Sequence, residues 1–411
     1  MNQAPKLSRR WAFPPLAQLC AGTLTLMLLG LIYGWSIFKG PLQEMFPSWT
    51  ESNLSTGFTL LMSFYAIGGM VSGALAKFKK PRLLLILMAA VMFIGFMGAS
   101  TIDPGDASGS LIRLYLTYCL FCGLGTGIGY NICTTVIVKW FPDHSGFALG
   151  TLLMGYGLGA LCMGSIVTKL NSAVGLLSTY RIMGIGVFAV FIICSIFISD
   201  PTARVSENVP SPACEENGYT PKEALRSVSF WIIMAWAIVV SAGSLIVMSN
   251  SASIIGYFKA PAILGLVVSV TNGVSRVVLG SLIDRFGFRR VSLAHGIEFL
   301  VAAGFMLVGC LTGSVLILIV GLLLTGFGFG CTPTTQAVYL RCRFGSKHFS
   351  AIFSYAAPAL LLSSVLGSSL SGLLQDLAPA GAKYTSSFVL MVVYAAIGFV
   401  LSYWLRKDSV S

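Results

Sequence analysis

The sequence predicts an all-α membrane protein with twelve transmembrane helices in two pseudo-symmetric halves of six. Three observations support this fold class. First, 56% of the 411 residues are hydrophobic and only 10% are charged, which is far from the composition of a soluble globular protein. Second, the charges cluster between long apolar runs. Third, one polar loop pattern recurs about half a chain later.

Each apolar run is long enough to cross a bilayer as a helix, which takes about 20 residues. The predicted spans are 14–38, 54–76, 82–101, 110–138, 146–170, 178–199, 227–250, 261–283, 290–312, 315–340, 348–374 and 384–405. The stretch 82–138 also allows a different division. Twelve spans place both termini on one side of the membrane.

Basic residues decide which side that is. Of the 26 lysines and arginines, 19 fall on the side of the N-terminus and six on the other side. Because positively charged loops stay in the cytoplasm, we predict a multi-pass cell-membrane protein with both termini cytoplasmic. The same bias accounts for the net charge of +12, so no nucleic-acid partner is predicted.

The recurring loop pattern divides the chain. A stretch beginning at Gly73 and ending in basic residues is matched, 207 residues later, by a stretch beginning at Gly280. Such internal repetition is typical of transport folds built from two halves. We predict an N-terminal half at 1–199, a cytoplasmic linker at 200–226 that is rich in proline and glutamate, and a C-terminal half at 227–411.

Arg276 is the main candidate functional residue. It lies roughly 12 Å from the polar turn at Asp284, if a helix rises 1.5 Å per residue, and thus near the middle of the bilayer. An arginine at that depth costs roughly 2.5–3.5 kcal/mol on insertion scales. It could bond to helix carbonyls or snorkel to the cytoplasmic end, but a substrate-anion ligand is the favoured interpretation. Asn272 lies one turn earlier on the same face.

Aromatic residues in other spans are further candidates. Tyr33 ends the first apolar run one turn deeper than Lys39, which we place at the outer interface. Tyr130 follows a series of glycines in the fourth span. Both could face a cavity, or they could pack without touching a ligand. Glu298 and His295 are the acid and histidine expected within the second-half membrane core, where a pH-sensitive role is an open alternative.

The loop pattern resembles the cytoplasmic signature of the major facilitator superfamily: a glycine, an apolar pair, an Asp-Arg pair, a glycine and basic residues. The second copy matches at Gly280, Asp284, Arg285 and Gly287. The first copy has Gly73 but carries Lys77 where the acid is usual. The resemblance implies that these loops steady one conformation during a switch, and that the second copy dominates.

A narrower resemblance, to the oxalate/formate antiporter family, covers most of the chain. It rests on four motifs in order: Tyr33-x-Trp35-Ser36, Lys139-Trp140-Phe141-Pro142-Asp143, Gly155-Tyr156-Gly157-Leu158-Gly159 and Leu225-Arg226 followed by Phe230-Trp231. That family is related to the monocarboxylate transporters.

The second resemblance assigns roles to residues of the C-terminal half. It implies that Arg276 binds substrate and that Phe329 and Tyr355 match aromatic cavity residues. Pro358 stands where the oxalate-transporting member carries a second cation, a lysine.

These observations predict a secondary active transporter of small organic anions, monocarboxylates in particular, that works by alternating access with exchange or uniport. Proton-coupled monocarboxylate symport is the first alternative, followed by drug efflux, an anion channel and a transporter-like sensor. No nucleotide site, metal cluster or nucleophile–base pair is evident in the sequence, so we predict neither an enzyme nor a cofactor. The expected partners are a small carboxylate, the lipid bilayer and, if transport is coupled to them, protons. The protein is expected to be a monomer.

Overall fold

The helices of the chain form a bundle of twelve spans. The computed structural model describes residues 13–75, 80–141, 145–200, 219–345, 348, 352–353, 355–356, 358–379 and 381–408. Within these residues, twelve helical segments are long and apolar enough to cross a membrane. The predicted count is therefore confirmed, and the stretch 82–138 divides between Ala99 and Ala107.

The spans are named here by number in chain order. Their helices are Pro15–Leu29, Gly30–Gly34 and Trp35–Met45 for span 1, Glu51–Leu75 for span 2, Pro81–Ala99 for span 3, Ala107–Leu114, Tyr115–Cys122 and Gly123–Val138 for span 4, Ser145–Val174 for span 5 and Leu176–Phe197 for span 6. The second six are Val228–Met248 for span 7, Ala262–Val267 and Val268–Phe286 for span 8, Phe288–Thr312 for span 9, Val315–Phe344 for span 10, Pro358–Ser364, Val365–Ser369 and Leu370–Asp376 for span 11, and Thr385–Asp408 for span 12. Two shorter helices, Pro221–Arg226 and Ser251–Tyr257, precede spans 7 and 8.

Span 1 is longer than predicted and changes helix type in its middle. Its helix narrows to a 3₁₀ turn at Gly30–Gly34, which carries Tyr33, and then continues as an α-helix through Pro41 to Met45. Lys39, which is predicted at the outer interface, lies in this last helix with only 2% of its surface exposed, so packing between spans buries it. Burial is possible because its ammonium is paired with the carboxylate of Glu51.

The helix bundle has two ends, which we call the termini end and the far end. The termini end is where span 1 begins at Pro15 and span 12 finishes. The far end is where span 1 finishes at Met45, span 2 begins at Glu51 and span 11 finishes at Asp376. Consecutive spans run in opposite directions between these two ends.

Glycine allows close packing between the first six spans and the second six. A Cβ atom at Gly157 of span 5 would overlap the backbone of Gly273 in span 8. Small residues at such crossings let two helix backbones approach each other. The crossing therefore holds spans 5 and 8 together, one turn of span 8 away from Arg276.

The second copy of the loop pattern lies where span 8 meets span 9. Gly280, Asp284 and Arg285 belong to the last turns of the span 8 helix, and Gly287 ends it with a φ of 78°, which favours glycine. In the first copy, Gly73 lies within the span 2 helix, whereas Lys77 falls outside the described residues. The conformational role of both loops remains a prediction.

Most of the predicted linker, 201–218, also lies outside the described residues. Its last part packs on the second six spans, where the backbone N–H of Tyr219 donates to the carbonyl of Phe344 over 3.1 Å. Thr220 then caps the helix Pro221–Arg226 through a capping box with Glu223. The division of the chain at this linker remains a prediction.

Candidate functional site

Arg276 is buried between the two sets of spans. It lies in the middle of the span 8 helix with 6% of its side chain exposed. Its Nη2 lies 3.5 Å from Oδ1 of Asn272, one helical turn earlier. Its Nε has no hydrogen-bond partner, and no carboxylate among the described residues forms an ion pair with it. A buried cation with so few partners is suited to bind an anion.

A group of tyrosines covers the guanidinium. The Cζ of Arg276 lies 5.5 Å from the ring centroid of Tyr156, within the range of a cation–π contact. The Tyr156 ring lies 5.3 Å from that of Tyr33, 5.0 Å from Tyr130 and 6.4 Å from Tyr65.

Phe329 closes the group from span 10. Its ring lies 5.6 Å from the Tyr33 ring, in an edge-to-face arrangement. We call the whole set the Arg276 cluster. It comprises Tyr33, Tyr65, Tyr130, Tyr156, Asn272, Arg276 and Phe329.

Hydrogen-bond donors in this cluster lack acceptors. The hydroxyl of Tyr156, Nδ2 of Asn272 and Nε of Arg276 are all buried without a hydrogen-bond partner in the described structure. Leaving such a group unsatisfied costs about 1–3 kcal/mol, and more for a charged group. The two nitrogens need an acceptor and the hydroxyl can donate to one, so these groups are suited to bind a small oxyanion.

The cluster is assembled from both sets of six spans. Spans 1, 2, 4 and 5 contribute its four tyrosines, whereas span 8 contributes Asn272 and Arg276 and span 10 contributes Phe329. The 3₁₀ turn of span 1 places Tyr33 against Tyr156. The site therefore lies where the two sets meet, which is the usual location of substrate sites in two-half transporters.

The structure brings together five of the six residues predicted to bind substrate. Tyr33, Tyr130, Asn272 and Phe329 all lie around Arg276. Tyr355 does not join them. It is 48% exposed, in a turn ahead of the span 11 helix, and it has no ring contact with the described members of the cluster.

Tyr65 and Tyr156 complete the cluster but are absent from the sequence-based candidates. Tyr156 stands between Gly155 and Gly157, just as Tyr130 follows a glycine series, so the same signal could have identified it. Tyr65 has no comparable sequence signal. Its contact with Tyr130, at 5.9 Å between ring centroids, depends on how spans 2 and 4 pack.

Glu298 and His295 lie in span 9, outside this cluster. The His295 Nε2 is 3.0 Å from the carbonyl oxygen of Gly328, and its ring packs edge-on against Trp236 at 5.3 Å. Both carboxyl oxygens of Glu298 are buried without a described hydrogen-bond partner. Among the described residues, no group of three or more histidine, cysteine or acidic side chains could hold a metal ion.

Comparisons with known proteins agree with this architecture. Residues 16–341 match the family model of the Major Facilitator Superfamily. The chain is 23% identical over 406 residues to the oxalate:formate antiporter of Oxalobacter formigenes. The aligned region covers 96% of this chain and 91% of that protein. It is 22% identical over 313 residues to monocarboxylate transporter 10 of Rattus norvegicus. That alignment covers 71% of this chain and 58% of the relative.

A solved structure shows the same fold. The crystal structure of a D-xylose–proton symporter matches this chain with a TM-score of 0.72 at 15% identity, covering 96% of this chain and 98% of the other. At that identity the likeness concerns the fold alone. These relatives and neighbours are transporters rather than enzymes.

Proposed function

We propose that this chain, which belongs to the major facilitator superfamily, carries small organic anions across the membrane, monocarboxylates in particular. It is a multi-pass membrane transporter, and the substrate is the proposed part. One observation carries the proposal. Arg276 lies buried between the two sets of spans without a carboxylate partner, beside two neutral donors, Tyr156 and Asn272, that also lack acceptors.

A carboxylate would satisfy these donors together. Its two oxygens match the planar fork of a guanidinium, which can bind them through two parallel hydrogen bonds. The remaining lone pairs could accept from the Tyr156 hydroxyl and from Nδ2 of Asn272. The tyrosine rings and Phe329 would supply apolar walls for a short carbon chain.

The charge balance favours a singly charged substrate. A dianion facing one arginine would leave about one negative charge uncompensated, and desolvating that charge costs several kcal/mol. Pro358 supplies no second charge. Lys39 does not supply one either, because Glu51 already neutralises it at 2.8 Å.

Alternating access is the mechanism that fits a site between two packed sets of helices. The two sets would rock about the substrate, with the glycine crossing of spans 5 and 8 as one contact surface. The bias of basic residues supports cytoplasmic termini, so the far end would face the outside.

Exchange or uniport is the proposed mode of coupling, since no described acid lies beside Arg276. Proton-coupled symport is the second candidate. It is favoured by one observation, the buried and unpartnered carboxyl of Glu298, because such a group is most stable in the membrane core when it carries a proton.

Removing the Arg276 charge tests the proposal. In reconstituted vesicles, we expect Arg276→Ala to lower carboxylate transport by about 30-fold or more, since losing one partner of a buried charge pair costs about 2–5 kcal/mol. Arg276→Lys should also lose most transport, because a point charge does not reproduce the planar fork.

The matched control is Arg113→Gln, which changes an exposed arginine that donates to the carbonyl of Thr101. This variant should transport at the parental rate. If Arg276→Ala is folded, inserted in the membrane and also transports at the parental rate, the assignment of Arg276 to the substrate site is wrong.

A further inference from the structure

Charged residues from both sets of spans meet at the far end of the bundle. Lys39 of span 1 is 2% exposed, and its Nζ lies 2.8 Å from Oε2 of Glu51, which is 6% exposed. The other carboxylate oxygen of Glu51 accepts a hydrogen bond from Lys383, in the connection before span 12. Lys39 also donates to Oδ1 of Asn250, which lies between span 7 and the short helix Ser251–Tyr257.

Asp376 joins this group through the start of span 2. The backbone N–H groups of Glu51 and Ser52 donate to its two carboxylate oxygens, each over 2.8 Å. These N–H groups open a helix and have no acceptor within it, and the helix N-terminus favours negative charge. Because Asp376 ends span 11, the second six spans cap a helix of the first six.

Together these residues make a balanced network, with two lysines and two carboxylates. Asn250 is its neutral member. We call the five residues Lys39, Asn250, Glu51, Asp376 and Lys383 the far-end network. Polar contacts continue below it between spans 2 and 11, where Ser368 Oγ donates to the carbonyl of Ser55 over 3.1 Å and Ser369 Oγ donates to Thr59 Oγ1 over 2.8 Å.

The contacts of the network divide into two kinds. The Lys39–Glu51 pair lies within the first six spans, so it stays intact if the two sets separate. The contacts of Lys383, Asn250 and Asp376 with the first six spans all cross between the sets. Within the network, separation would break these crossing contacts but not the Lys39–Glu51 pair, so it would leave no isolated buried charge on Lys39 or Glu51.

This division makes the network suited to reversible opening. Lys383 is 31% exposed and lies near the surface, where ion pairs are weak and water replaces a lost partner. An apolar seal of the same area would expose hydrophobic surface on opening, whereas these groups are hydrated once they are apart.

We propose that the far-end network is the gate that keeps the far end closed, and that breaking its crossing contacts is the step that opens it. On opening, Asp376 and Lys383 lose their contacts with the start of span 2. The proposal rests on the alternating-access function proposed above. It assigns separate tasks to two charged sites: Arg276 holds the substrate, and the far-end network holds the conformation.

Labelling of a cysteine beneath the network tests the gate without any substrate. Ser55 of span 2 is fully buried where this helix packs against span 11. In Ser55→Cys, the thiol should therefore react slowly with a maleimide while the far end is closed. The protein is labelled in detergent, where both ends are accessible, and modification of this one site is measured by peptide mass spectrometry. Native cysteines therefore do not interfere.

We expect Asp376→Asn and Lys383→Gln to raise the labelling rate by about fivefold or more. The first removes the charge that caps the start of span 2, and the second removes one of the two lysines paired with the buried carboxylate of Glu51. Lys383→Arg keeps the charge and should restore the slow rate, which separates gating from misfolding. Lys169→Gln, an exposed lysine near the far end of span 5, is the matched control and should leave labelling unchanged.

Unchanged labelling in both Asp376→Asn and Lys383→Gln would overturn the gate. So would equal acceleration by Lys169→Gln. Neither result depends on the identity of the substrate, so failure of the gate and failure of the proposed carboxylate transport can be told apart. Conversely, a transporter with another substrate would still show the expected labelling.

Discussion

At the residue scale, the function proposed here depends on the neutrality of Asn272. Its Oδ1 lies 3.5 Å from Nη2 of Arg276, and its Nδ2 is an unsatisfied buried donor. An amide can thus orient the guanidinium without neutralising it. A carboxylate at the same place would pair with the arginine and occupy the proposed anion site.

This leads to a prediction for Asn272→Asp. The introduced carboxylate should compete with the substrate for Arg276 and lower transport at neutral pH by about tenfold or more, since a buried ion pair is strong when well placed. Transport should recover as the pH falls, because protonation removes the competing charge. The measurement is uptake of a labelled monocarboxylate into vesicles over a range of pH.

The control for this variant is Asn171→Asp, which adds the same charge at the far end of span 5, outside the cluster. Its uptake should follow the parental pH profile. Parental uptake by Asn272→Asp at neutral pH would show that the amide does not lie beside the bound anion.

At the scale of elements, the crossing of spans 5 and 8 positions Arg276. Gly157 and Gly273 bring the two backbones together, and Tyr156 beside Gly157 then reaches the guanidinium. The 3₁₀ turn of span 1 brings Tyr33 to the same place. Each of these contacts depends on a helix approaching closely or changing type, rather than on a side chain alone.

Gly157→Ala should therefore disturb both stability and transport. The added Cβ would overlap backbone atoms of Gly273, which cannot move away by changing rotamer. Overpacking of this kind costs about 1–3 kcal/mol. We expect a lower melting temperature and slower carboxylate exchange, measured by thermal unfolding and by vesicle uptake on the same preparation.

Gly186→Ala in span 6 is the matched control, because a Cβ there would meet nothing within 4 Å. It should change neither quantity. If the two alanine variants behave alike, the close approach of spans 5 and 8 has no role in the proposed mechanism.

At the scale of the whole molecule, charge is distributed in three places. The sequence predicts most basic residues on the termini side. In the described structure Arg276 lies in the middle of span 8, and two lysines at the far end, Lys39 and Lys383, are paired with Glu51. Among the described residues, Arg276 is the buried cation without a carboxylate partner, and the proposed substrate would meet that one charge. The selectivity of the transporter should follow from that single charge.

We expect monoanions to compete for transport at least as well as oxalate. Formate, lactate, pyruvate and oxalate would be added as unlabelled competitors to reconstituted vesicles at neutral pH. Oxalate binding about tenfold tighter than every monoanion would contradict the single-charge argument, because it would require a second cation that compensates the second carboxylate.

Orientation is a second prediction for the whole molecule. The basic bias places the predicted linker at 200–226 in the cytoplasm, so a cysteine introduced at Ser211 should be protected in intact cells and labelled after permeabilisation. Ser211 lies outside the described residues, so this experiment depends only on sidedness. Labelling by an impermeant reagent from outside intact cells would reverse the orientation.

The class of fold and the central residue can both be predicted from the sequence alone. Long apolar runs predict the twelve spans, because a helix must be apolar over its whole length to cross lipid. Arg276 stands out for the same reason, since a charge is rare in such a run. Both signals are local in sequence, and the span count and the burial of Arg276 agree with the structure.

The side chains that surround Arg276 depend on how the helices pack in three dimensions. Tyr65 and Tyr156 join the cluster and Tyr355 does not, because their positions depend on how separate spans cross. Lys39 illustrates the same point, because its partner Glu51 begins span 2 and its partner Asn250 follows span 7. Periodicity and hydropathy describe one helix at a time, whereas a site between helices is defined by contacts over long sequence separations.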